Sequence, residues 1–501
     1  MSQNPFLQSF MDQFLHEALT FDDVSLVTQY ADFLPDQADT RSRLTRHIGL
    51  NIPFVSSAMD TVTESQMAIA MALQGGMGII HKNLTAKAQA QHVARVKHYL
   101  NGLIRDPIVF RSTDTLETVE KTRQKKGYVF SGFPILDAND RLVGILTAAD
   151  IKFASDPKAA VTDVMTAAVI SATPDTTLQQ AYALMKKNRI GKLPLVDKAG
   201  RLAGLYSFSD VRTLVEEAEP QYNRDEKYRL RVGAAIGPGD QERVEALARE
   251  SVDVVVVDTA HGHSKGVIDM VKWMKKHHPA IDVVAGNIGT GEAAVALRDA
   301  GADAVKVGIG PGSICTTRVV AGVGIPQITA IYDCARELKG EIPVIADGGI
   351  RHSGDVPKAI AAGADAVMCG SILAGTDESP GEKIIHQGRQ YVIYRGMGSL
   401  AAMREGAASR ERYGQRADLT EDELVPQGIE GIVPYAGTVR KVMVQYCGGL
   451  RASMGYCGTR TVRELQERGR LIRVSAAGVA EAHPHDVKIL KEAPNYRSGS
   501  M

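Results

Sequence analysis

The residues best suited to covalent chemistry lie in one glycine-rich segment, residues 308–318, with the sequence GIGPGSICTTR. Three glycines at alternate positions let the backbone approach a ligand closely and adopt positive φ. A thiolate is the strongest side-chain nucleophile near neutral pH, and Arg318 would favour the thiolate of Cys315. Ser313 and the loop amides could hold an anionic group. Most cysteines are buried apolar residues, but a Gly-Pro-Gly-Ser loop is not a core element, so the segment favours a nucleophile.

Glycines also end two short apolar runs further along the chain, at Asp347-Gly348-Gly349 and at Gly370-Ser371. The backbone amides of these glycines and the serine hydroxyl could bind a phosphate, and the aspartate could accept hydrogen bonds from ribose hydroxyls. An Asp-Gly-Gly sequence alone is also a common turn. The two strand ends together indicate a nucleotide site.

Further polar residues follow two other apolar runs. The sequence DTAHGH occupies residues 258–263, and Asn287 ends the next run. His261 and His263 have no Cys or Glu at metal-ligand spacing, so hydrogen-bonding or surface roles are favoured over metal ligation. The chain contains neither G-x-G-x-x-G nor G-x-x-x-x-G-K-[ST]. A bound dinucleotide would therefore not be held by a Rossmann turn, and no P-loop is predicted.

These residues must be positioned by the apolar runs that precede them. Continuous apolar runs that alternate with helical stretches indicate a parallel sheet covered on both faces. Eight runs predict an α/β fold, a closed (β/α)₈ TIM barrel with its active site at the C-terminal strand ends, and an open doubly wound sheet is the alternative. The runs occupy residues 53–59, 76–81, 230–236, 252–258, 282–287, 302–308, 343–347 and 364–370.

A repeat lies between the second and third runs. Residues 131–151 and 191–211 match at a spacing of 60, so that Asp150 corresponds to Asp210. Each copy predicts a strand, an Asp-rich turn, a strand and a helix, and two copies are expected to pack as a pseudo-symmetric pair. We therefore predict an inserted domain over residues 103–220 and a barrel built from residues 1–102 and 221–501. A long excursion over the barrel mouth is expected near residues 391–450.

The composition excludes several classes of protein. Lys+Arg and Asp+Glu both number 58, so nothing indicates a nucleic-acid or anionic-membrane surface. Five unpaired-looking cysteines favour a reducing, cytoplasmic compartment. The first residues lack the pattern of a secretory signal, and no run approaches the ~20 apolar residues of a membrane span.

Five motifs, in order along the chain, resemble the inosine 5′-monophosphate (IMP) dehydrogenase family: SSAMDTVTE, GPGSICTTR, ADGGIRHSGD, YRGMGSL and EAHPHDV. The resemblance covers nearly the whole chain and implies NAD-dependent oxidation of IMP to xanthosine monophosphate (XMP). Cys315 would attack C2 of the purine, hydride would leave for NAD, and the covalent adduct would be hydrolysed. The inserted repeat resembles a tandem CBS pair (Bateman domain), which implies regulatory binding of ATP or GTP with Asp150 and Asp210 on the ribose hydroxyls. A purely structural appendage is the alternative.

The resemblance also assigns ligand contacts. The expected IMP contacts are Ser57, Met59, Ser313, Asp347, Gly349, Gly370, Ser371, Tyr394, Gly396, Met397, Gly398 and Gln427. The expected NAD contacts are Asp258, Thr259, Ala260, Asn287, Gly308 and Gly310. A potassium ion would be held by the carbonyls of Gly308, Gly310 and Cys315. Glu481, Ala482 and His483 of a neighbouring subunit would complete that site, which implies a homotetramer and leaves octamers open.

For the hydrolysis step the resemblance implies a mobile flap with an Arg-Tyr pair, here Arg412 and Tyr413, and a water contact from Thr317. An arginine is an unusual base because a guanidinium holds its proton strongly, so a closed, dry site and the tyrosine hydroxyl would have to favour the neutral form. A flap salt bridge is the alternative role. Some family members have a glutamate where this chain has Gln427, which cannot ionise, so heavier dependence on Arg412 is expected.

Two other functions are compatible with parts of the pattern. Guanosine 5′-monophosphate (GMP) reductase shares the barrel and cysteine loop but runs hydride from NADPH and expels ammonia with a Thr and a flap Glu. Glu411 precedes the Arg-Tyr pair here, although that pair and YRGMGSL fit the dehydrogenase better. A nucleotide sensor with a decayed barrel is disfavoured by the intact Cys315 loop.

Overall fold

Eight parallel strands close into a barrel in this computed structural model, which describes residues 17–99, 103–104, 107–126, 132–154, 156–216, 221–416 and 418–496. Each strand coincides with one of the eight predicted runs, so the predicted barrel is confirmed and the open sheet is excluded. The strands are β1 (Phe54–Ser56), β2 (Met77–Ile80), β3 (Gly233–Ile236), β4 (Val254–Asp258), β5 (Asp282–Ile288), β6 (Ala304–Val307), β7 (Val344–Asp347) and β8 (Ala366–Cys369). Around the barrel, β3 to β8 are followed by β1 and β2, and β2 pairs with β3.

Helices follow the strands and cover the outside of the barrel, which explains why β4 reads VVVVD with every residue buried. The segment before β1 adds antiparallel pairs, Ser42–Arg43 with Gly49–Leu50, and Val24–Leu26 with Leu471–Arg473. The covering helices are α1 (Ser65–Leu73), α2 (Ala86–His98), α3 (Gln241–Arg249), α4 (Lys265–His277), α5 (Gly291–Asp299), α6 (Gln327–Leu338), α7 (Asp355–Ala361) and α8 (Val439–Cys457).

The barrel interior is filled by alternate residues of the strands. Val254 and Val256 of β4, Ala304 of β6 and Ile345 of β7 belong to one buried apolar cluster with residues of the other strands. Because side chains alternate along a strand, the next inward positions on these three strands are residues 258, 306 and 347. The upper layer of the barrel interior is therefore charged rather than apolar.

The segment between β8 and α8 carries its own elements. Strands Lys383–His386, Arg389–Arg395 and Glu430–Pro434 form an antiparallel sheet, and helices Leu400–Glu405 and Ala407–Arg412 lie between the last two strands. Short helices Thr317–Val320 and Ser371–Ala374 follow β6 and β8. After α8 come helices Val462–Arg468 and Ala476–Ala482, and 3₁₀ turns occur at Phe21–Asp23, Pro35–Gln37 and Glu421–Glu423.

A second compact unit comprises residues 98–220 and 224–230. It contains two three-stranded sheets, each with its own apolar core. The strand–turn–strand–helix order predicted for each copy of the repeat is confirmed. In both copies the turn is closed in the same way, since Asp137 and Asp197 each accept two backbone hydrogen bonds at 2.8 and 2.9 Å. The elements are Leu103–Ile104, Phe110–Arg111, Leu116–Lys126, Phe133–Leu136, Leu142–Leu146, Ala148–Phe153, Val161–Val164, Leu178–Asn188, Lys192–Val196, Leu202–Ser207 and Phe208–Glu216.

Residues 1–16, in which the sequence predicts no secretory signal, lie outside the described residues. Within the described part of the chain, no helix is both long and apolar enough to cross a membrane.

Candidate active site

A cavity opens at the C-terminal ends of the barrel strands, where the sequence predicts the active site. Residues from six of the eight strand ends, those of β1 and β4 to β8, and from the segment after β8 line it. Of the residues predicted from the sequence, those on the cavity wall are Ser57, Met59, Asp258, Ala260, Asn287, Gly308, Gly310, Ser313, Cys315, Thr317, Asp347, Gly349, Gly370, Ser371, Tyr394, Gly396, Met397, Arg412, Tyr413 and Gln427.

Cys315 lies in this cavity and is partly exposed. Its Sγ is 3.2 Å from the Thr317 hydroxyl and 3.8 Å from the Gln427 carbonyl oxygen. That same carbonyl accepts a hydrogen bond from the backbone N–H of Thr316 at 3.0 Å, and Cys315 forms a β-bridge with Gly428. The thiol is thus held between the loop after β6 and the segment that precedes Glu430–Pro434.

The cysteine loop is tightly fitted at its base. Gly308 has φ of 155°, and a Cβ there would overlap the carbonyl oxygen of Asp347, so only glycine suits this position. Arg318 donates to the carbonyl oxygens of Ile309 and Ile325 at 3.1 and 2.6 Å. The arginine that was expected to favour the thiolate therefore also braces the loop, and burial lowers its pKa.

The wall opposite the loop is built around Gly370. A Cβ on Gly370 would lie 2.8 Å from the Tyr394 hydroxyl and 3.2 Å from the Met59 sulfur. Tyr394 is almost fully buried, and this burial raises its pKa, with a smaller contribution from the negative charge of Asp347. Its hydroxyl interacts with Ser313 of the cysteine loop. A neutral phenol therefore connects the two sides of the cavity.

A charged group occupies the floor of the cavity. The Lys306 ammonium donates to Asp258 Oδ1 at 2.9 Å and to Asp347 Oδ2 at 2.7 Å, and it also contacts Asn287 Oδ1. The Asn287 amide donates to Asp347 Oδ2 and to the Gly308 carbonyl, both at 2.9 Å. Lys306 is only 2% exposed, so its charge is balanced almost entirely by these partners.

The predicted Arg-Tyr pair reaches the same floor. Arg412, at the end of Ala407–Arg412, forms an ion pair with Asp258 Oδ2, and its carbonyl accepts from the backbone N–H of Ala260 at 2.9 Å. Tyr413 packs against Gly398, where a Cβ would lie 2.6 Å from the tyrosine Cζ. Burial raises the pKa of the Tyr413 hydroxyl.

Comparisons with known proteins identify the family of this chain. A family model described as "IMP dehydrogenase / GMP reductase domain" matches residues 18–485. The chain belongs to this family. Inosine-5′-monophosphate dehydrogenase of Staphylococcus aureus is 51% identical over 490 residues, and that of Bacillus subtilis is 50% identical over 490 residues. Both matches cover 97% of this chain and 99% of the relative. The resemblance drawn from the sequence motifs is confirmed, and with it the prediction of an enzyme.

The solved structure of a GMP reductase is also similar. It is a cysteine-to-alanine variant from Trypanosoma brucei in complex with guanosine 5′-monophosphate. The TM-score is 0.84 and the identity 39%, over 95% of this chain and 100% of that one. The family thus includes both activities that the sequence left open.

Two residues that the resemblance assigned to ligands lie behind the cavity wall of this family member. Gly398 contacts Tyr413 and accepts a hydrogen bond from the Gln427 backbone N–H at 2.9 Å. Thr259 is buried, and its hydroxyl donates to the Gly286 carbonyl at 2.9 Å. Their direct contact with IMP or NAD stays a prediction.

Other predicted residues lie away from the cavity. Glu481 and Ala482 end the helix Ala476–Ala482, and the next residue, His483, has its Nδ1 3.0 Å from the Tyr496 hydroxyl. Their expected place is in a neighbouring subunit's site, which stays a prediction. Asp150 and Asp210 lie in the second unit, each in the first turn of a helix.

Sequence reasoning missed two buried lysines. Lys306 lies within the apolar run ADAVKVG, where a lysine is out of place unless it has a buried charge partner. Lys82, just after β2, is 2% exposed, and its ammonium has no hydrogen-bond partner among the residues that the structure describes. A lysine at the C-terminal end of a buried strand was the available signal for each.

Proposed function

We propose that this protein is an NAD-dependent IMP dehydrogenase that converts IMP and water to XMP, the committed step of guanine nucleotide synthesis. The observation that supports it most is the presence of Cys315, Thr317 and the Arg412-Tyr413 pair around one cavity. A nucleophile and a candidate water-activating pair at one site fit a reaction in which a covalent adduct forms and is then hydrolysed. The similarity of about 50% to dehydrogenases over nearly the whole chain supports the same reaction.

IMP is proposed to lie between the cysteine loop and the Gly370 wall. Ser313, Gly349, Gly370 and Ser371 offer amides and hydroxyls for the phosphate, and Asp347 offers a carboxylate for the ribose. The base would extend towards Cys315, beside the remaining proposed contacts Ser57, Met59, Tyr394, Gly396, Met397, Gly398 and Gln427. The fit between Gly370 and Tyr394 supports this assignment, since any side chain at position 370 would reduce the space.

Cys315 is proposed to add its sulfur to C2 of the purine, which makes that carbon tetrahedral and ready to release hydride. NAD, when bound, accepts the hydride. Asp258 and Ala260 line the cavity near Asn287, and the Asp258 oxygen that pairs with Arg412 in this structure would suit a polar or cationic group such as a nicotinamide. Thr259, Gly308 and Gly310 complete the proposed cofactor contacts.

Hydrolysis of the adduct requires a water and a base. Thr317, 3.2 Å from the sulfur, is placed to hold the water, and Arg412 with Tyr413 is proposed to take its proton. Water then adds to C2, the carbon–sulfur bond breaks and the thiol regains its proton. Gln427 cannot ionise, so its side chain offers no second route for the proton.

A potassium site is proposed at the carbonyls of Gly308, Gly310 and Cys315, completed by Glu481, Ala482 and His483 of a neighbouring subunit in a homotetramer. Positive φ at both glycines turns the loop sharply, and the Gly308 carbonyl, which accepts from Asn287, keeps a second lone pair. Sodium in place of potassium is expected to lower turnover, and sedimentation is expected to give a tetramer or an octamer.

The second unit is proposed to be the tandem CBS domain over residues 103–220, with the barrel in residues 1–102 and 221–501 and the flap near 391–450. The matching turns and the paired positions of Asp150 and Asp210 support two equivalent purine-nucleotide sites. Calorimetry on the full chain with ATP and GTP tests this, because heat should appear and should fall in Asp150→Ala and Asp210→Ala. No heat with either nucleotide contradicts it.

A cytoplasmic location is proposed. All five cysteines are free thiols, and burial raises the pKa of Cys334 and Cys447 to about 12, which keeps them protonated and unreactive.

The test of the proposed function is an assay of purified protein. IMP with NAD should yield NADH and XMP, and Cys315→Ala should yield neither. GMP reductase is the second candidate, which the similar Trypanosoma brucei structure favours. Consumption of NADPH with GMP, without NADH formation from IMP, would reverse the assignment.

A further inference from the structure

A group of charges at the floor of the cavity has an unusual composition. Lys306, Asp258 and Asp347, here called the floor cluster, share one ammonium between two carboxylates. The side chains of Lys306 and Asp258 are 2% and 3% exposed, and that of Asp347 is 17% exposed. Counted as one ammonium and two carboxylates, the three side chains carry one net negative charge.

A buried net charge is costly unless something balances it. In this structure the balance comes from Arg412, which pairs with the Asp258 oxygen that Lys306 leaves free. Lys306 therefore does two things at once. It neutralises one of two neighbouring carboxylates, and by holding Asp258 Oδ1 it directs the remaining charge to Oδ2, which faces the cation.

We propose that Lys306 is a positioning residue that sets the floor cluster to a single net negative charge, so that the site accepts one cation at a time. This rests on the proposed function, which brings a second cation to the same place. The nicotinamide ring of NAD is positively charged when oxidised and neutral when reduced. After reduction the ring is neutral and no longer balances the negative charge of the floor cluster. Arg412 is then the cation that balances this charge, as it does in this structure.

Two alternatives for Lys306 lead to different expectations. A purely structural lysine would hold the tops of β4, β6 and β7 together, and its loss would weaken binding of the oxidised and reduced dinucleotides equally. A lysine that sets the charge of the site affects the ratio of the two affinities. The ratio is therefore the quantity to measure, because a general loss of folding or packing cancels from it.

The experiment is calorimetry on protein that carries Cys315→Ala, so that the affinities for NAD and NADH can both be measured with IMP present and without turnover. The Cys315→Ala protein without a further change is called the parent.

The floor cluster of the parent has one net negative charge. The parent should therefore bind NAD about tenfold more tightly than NADH, as expected for one charge pair at a partly screened site. Asp258→Asn brings the cluster to zero, and the preference should fall to about one. Lys306→Met leaves two negative charges, so the preference for NAD over NADH should rise several-fold above that of the parent. The Asp258→Asn/Lys306→Met double variant again has one negative charge and should regain a preference for NAD.

Lys97→Met is the matched control. Lys97 is also buried, at 1% exposure, and its Nζ is 2.6 Å from Asp253, which immediately precedes β4 at the other end of the barrel. This variant loses a buried ion pair of the same kind, and its preference for NAD should equal that of the parent.

Equal binding of NAD and NADH by the parent overturns the inference, and so does an unchanged ratio in Asp258→Asn. Both results can be obtained even if the Lys306 variants do not fold. If the Lys306 variants do fold and their ratio of NAD to NADH affinity equals that of the parent, the lysine has only a structural role, and the inference is also overturned. Failure of the proposed function looks different, since the wild-type protein would then form no NADH from IMP and NAD.

Discussion

Lys82 allows a stability prediction that can be worked through in numbers. It lies just after β2 with 2% exposure, and within the described part of the chain its ammonium finds no hydrogen-bond partner. Its pKa is lowered from 10.5 to about 8, chiefly by burial and next by the positive charge of Arg412, while Asp240 and Glu411 oppose the change. Replacement by methionine keeps a similar length and removes the charge.

Each tenfold change in proton affinity corresponds to about 1.4 kcal/mol, so a fall from 10.5 to about 8 destabilises the folded state by roughly 3 kcal/mol at pH 7. We therefore expect Lys82→Met to raise the free energy of unfolding by about 1–3 kcal/mol at pH 7. The folded pKa is below the unfolded one, so the unfolded chain binds more protons between pH 8 and 10.5. The wild-type protein should gain stability across that window, and the advantage of the variant should shrink towards pH 10.5.

The assay is urea unfolding of both proteins at pH 7 and near the upper end of that window, followed by fluorescence or circular dichroism. Differences between the proteins cancel the titration of all other groups. Lys97→Met is the control, because its ammonium has a carboxylate partner at 2.6 Å, and its loss should destabilise the protein at both pH values. If Lys82→Met lowers stability at pH 7, or if its advantage is the same at both pH values, the charge on Lys82 is not the cause.

Three further predictions concern the cavity. Cys315→Ala should lower NADH formation from IMP by at least ~10³-fold without loss of IMP binding, and a smaller effect on turnover would remove the thiol as nucleophile. Arg412→Ala should keep the first burst of NADH but slow hydrolysis ~10²–10³-fold in stopped-flow traces, and hydrolysis at the wild-type rate would assign the base elsewhere. Gly370→Ala should raise the KM for IMP about tenfold, because its Cβ would lie 2.8 Å from the Tyr394 hydroxyl. An unchanged KM would place the purine nucleotide away from this wall.

The barrel could be predicted from the sequence because its eight strands are buried on both faces and therefore read as continuous apolar runs. The cysteine loop and the polar residues after β4, β5, β7 and β8 followed from the same argument, since the C-terminal ends of parallel strands meet at one rim. The predicted contacts in the segment after β8 came only from the family resemblance. The sequence could not show which way each polar residue points. Gly398 and Thr259 belong to conspicuous motifs but do not line the cavity in this structure, whereas Lys306 lies within an apolar run and reaches the cavity floor.

The sequence also could not predict contacts between segments that are distant along the chain. Nothing near residue 315 indicates that the main chain of Gln427 holds both the thiol and the Gly398 turn against which Tyr413 packs. A sequence comparison draws attention to the side chain at position 427, which cannot ionise. The structure gives its backbone a separate role, because its carbonyl contacts the sulfur and its N–H binds the Gly398 turn against which Tyr413 packs.

This arrangement links the residues proposed for the first step of the reaction to those proposed for the hydrolysis step. The segment at residues 427–429 pairs with residues 314–316 on one side, and its Gln427 N–H anchors the Gly398 turn on the other. The Tyr413 side chain packs against Gly398, and from there main-chain hydrogen bonds of about 3 Å lead through Gln427 to the loop that holds Cys315. The floor cluster adds a charge on the same path, since Asp258 binds Arg412 on one oxygen and Lys306 on the other. The proposed base and the proposed nucleophile are therefore linked by contacts through Gly398 and Gln427, and Asp258 joins the same base to the floor cluster.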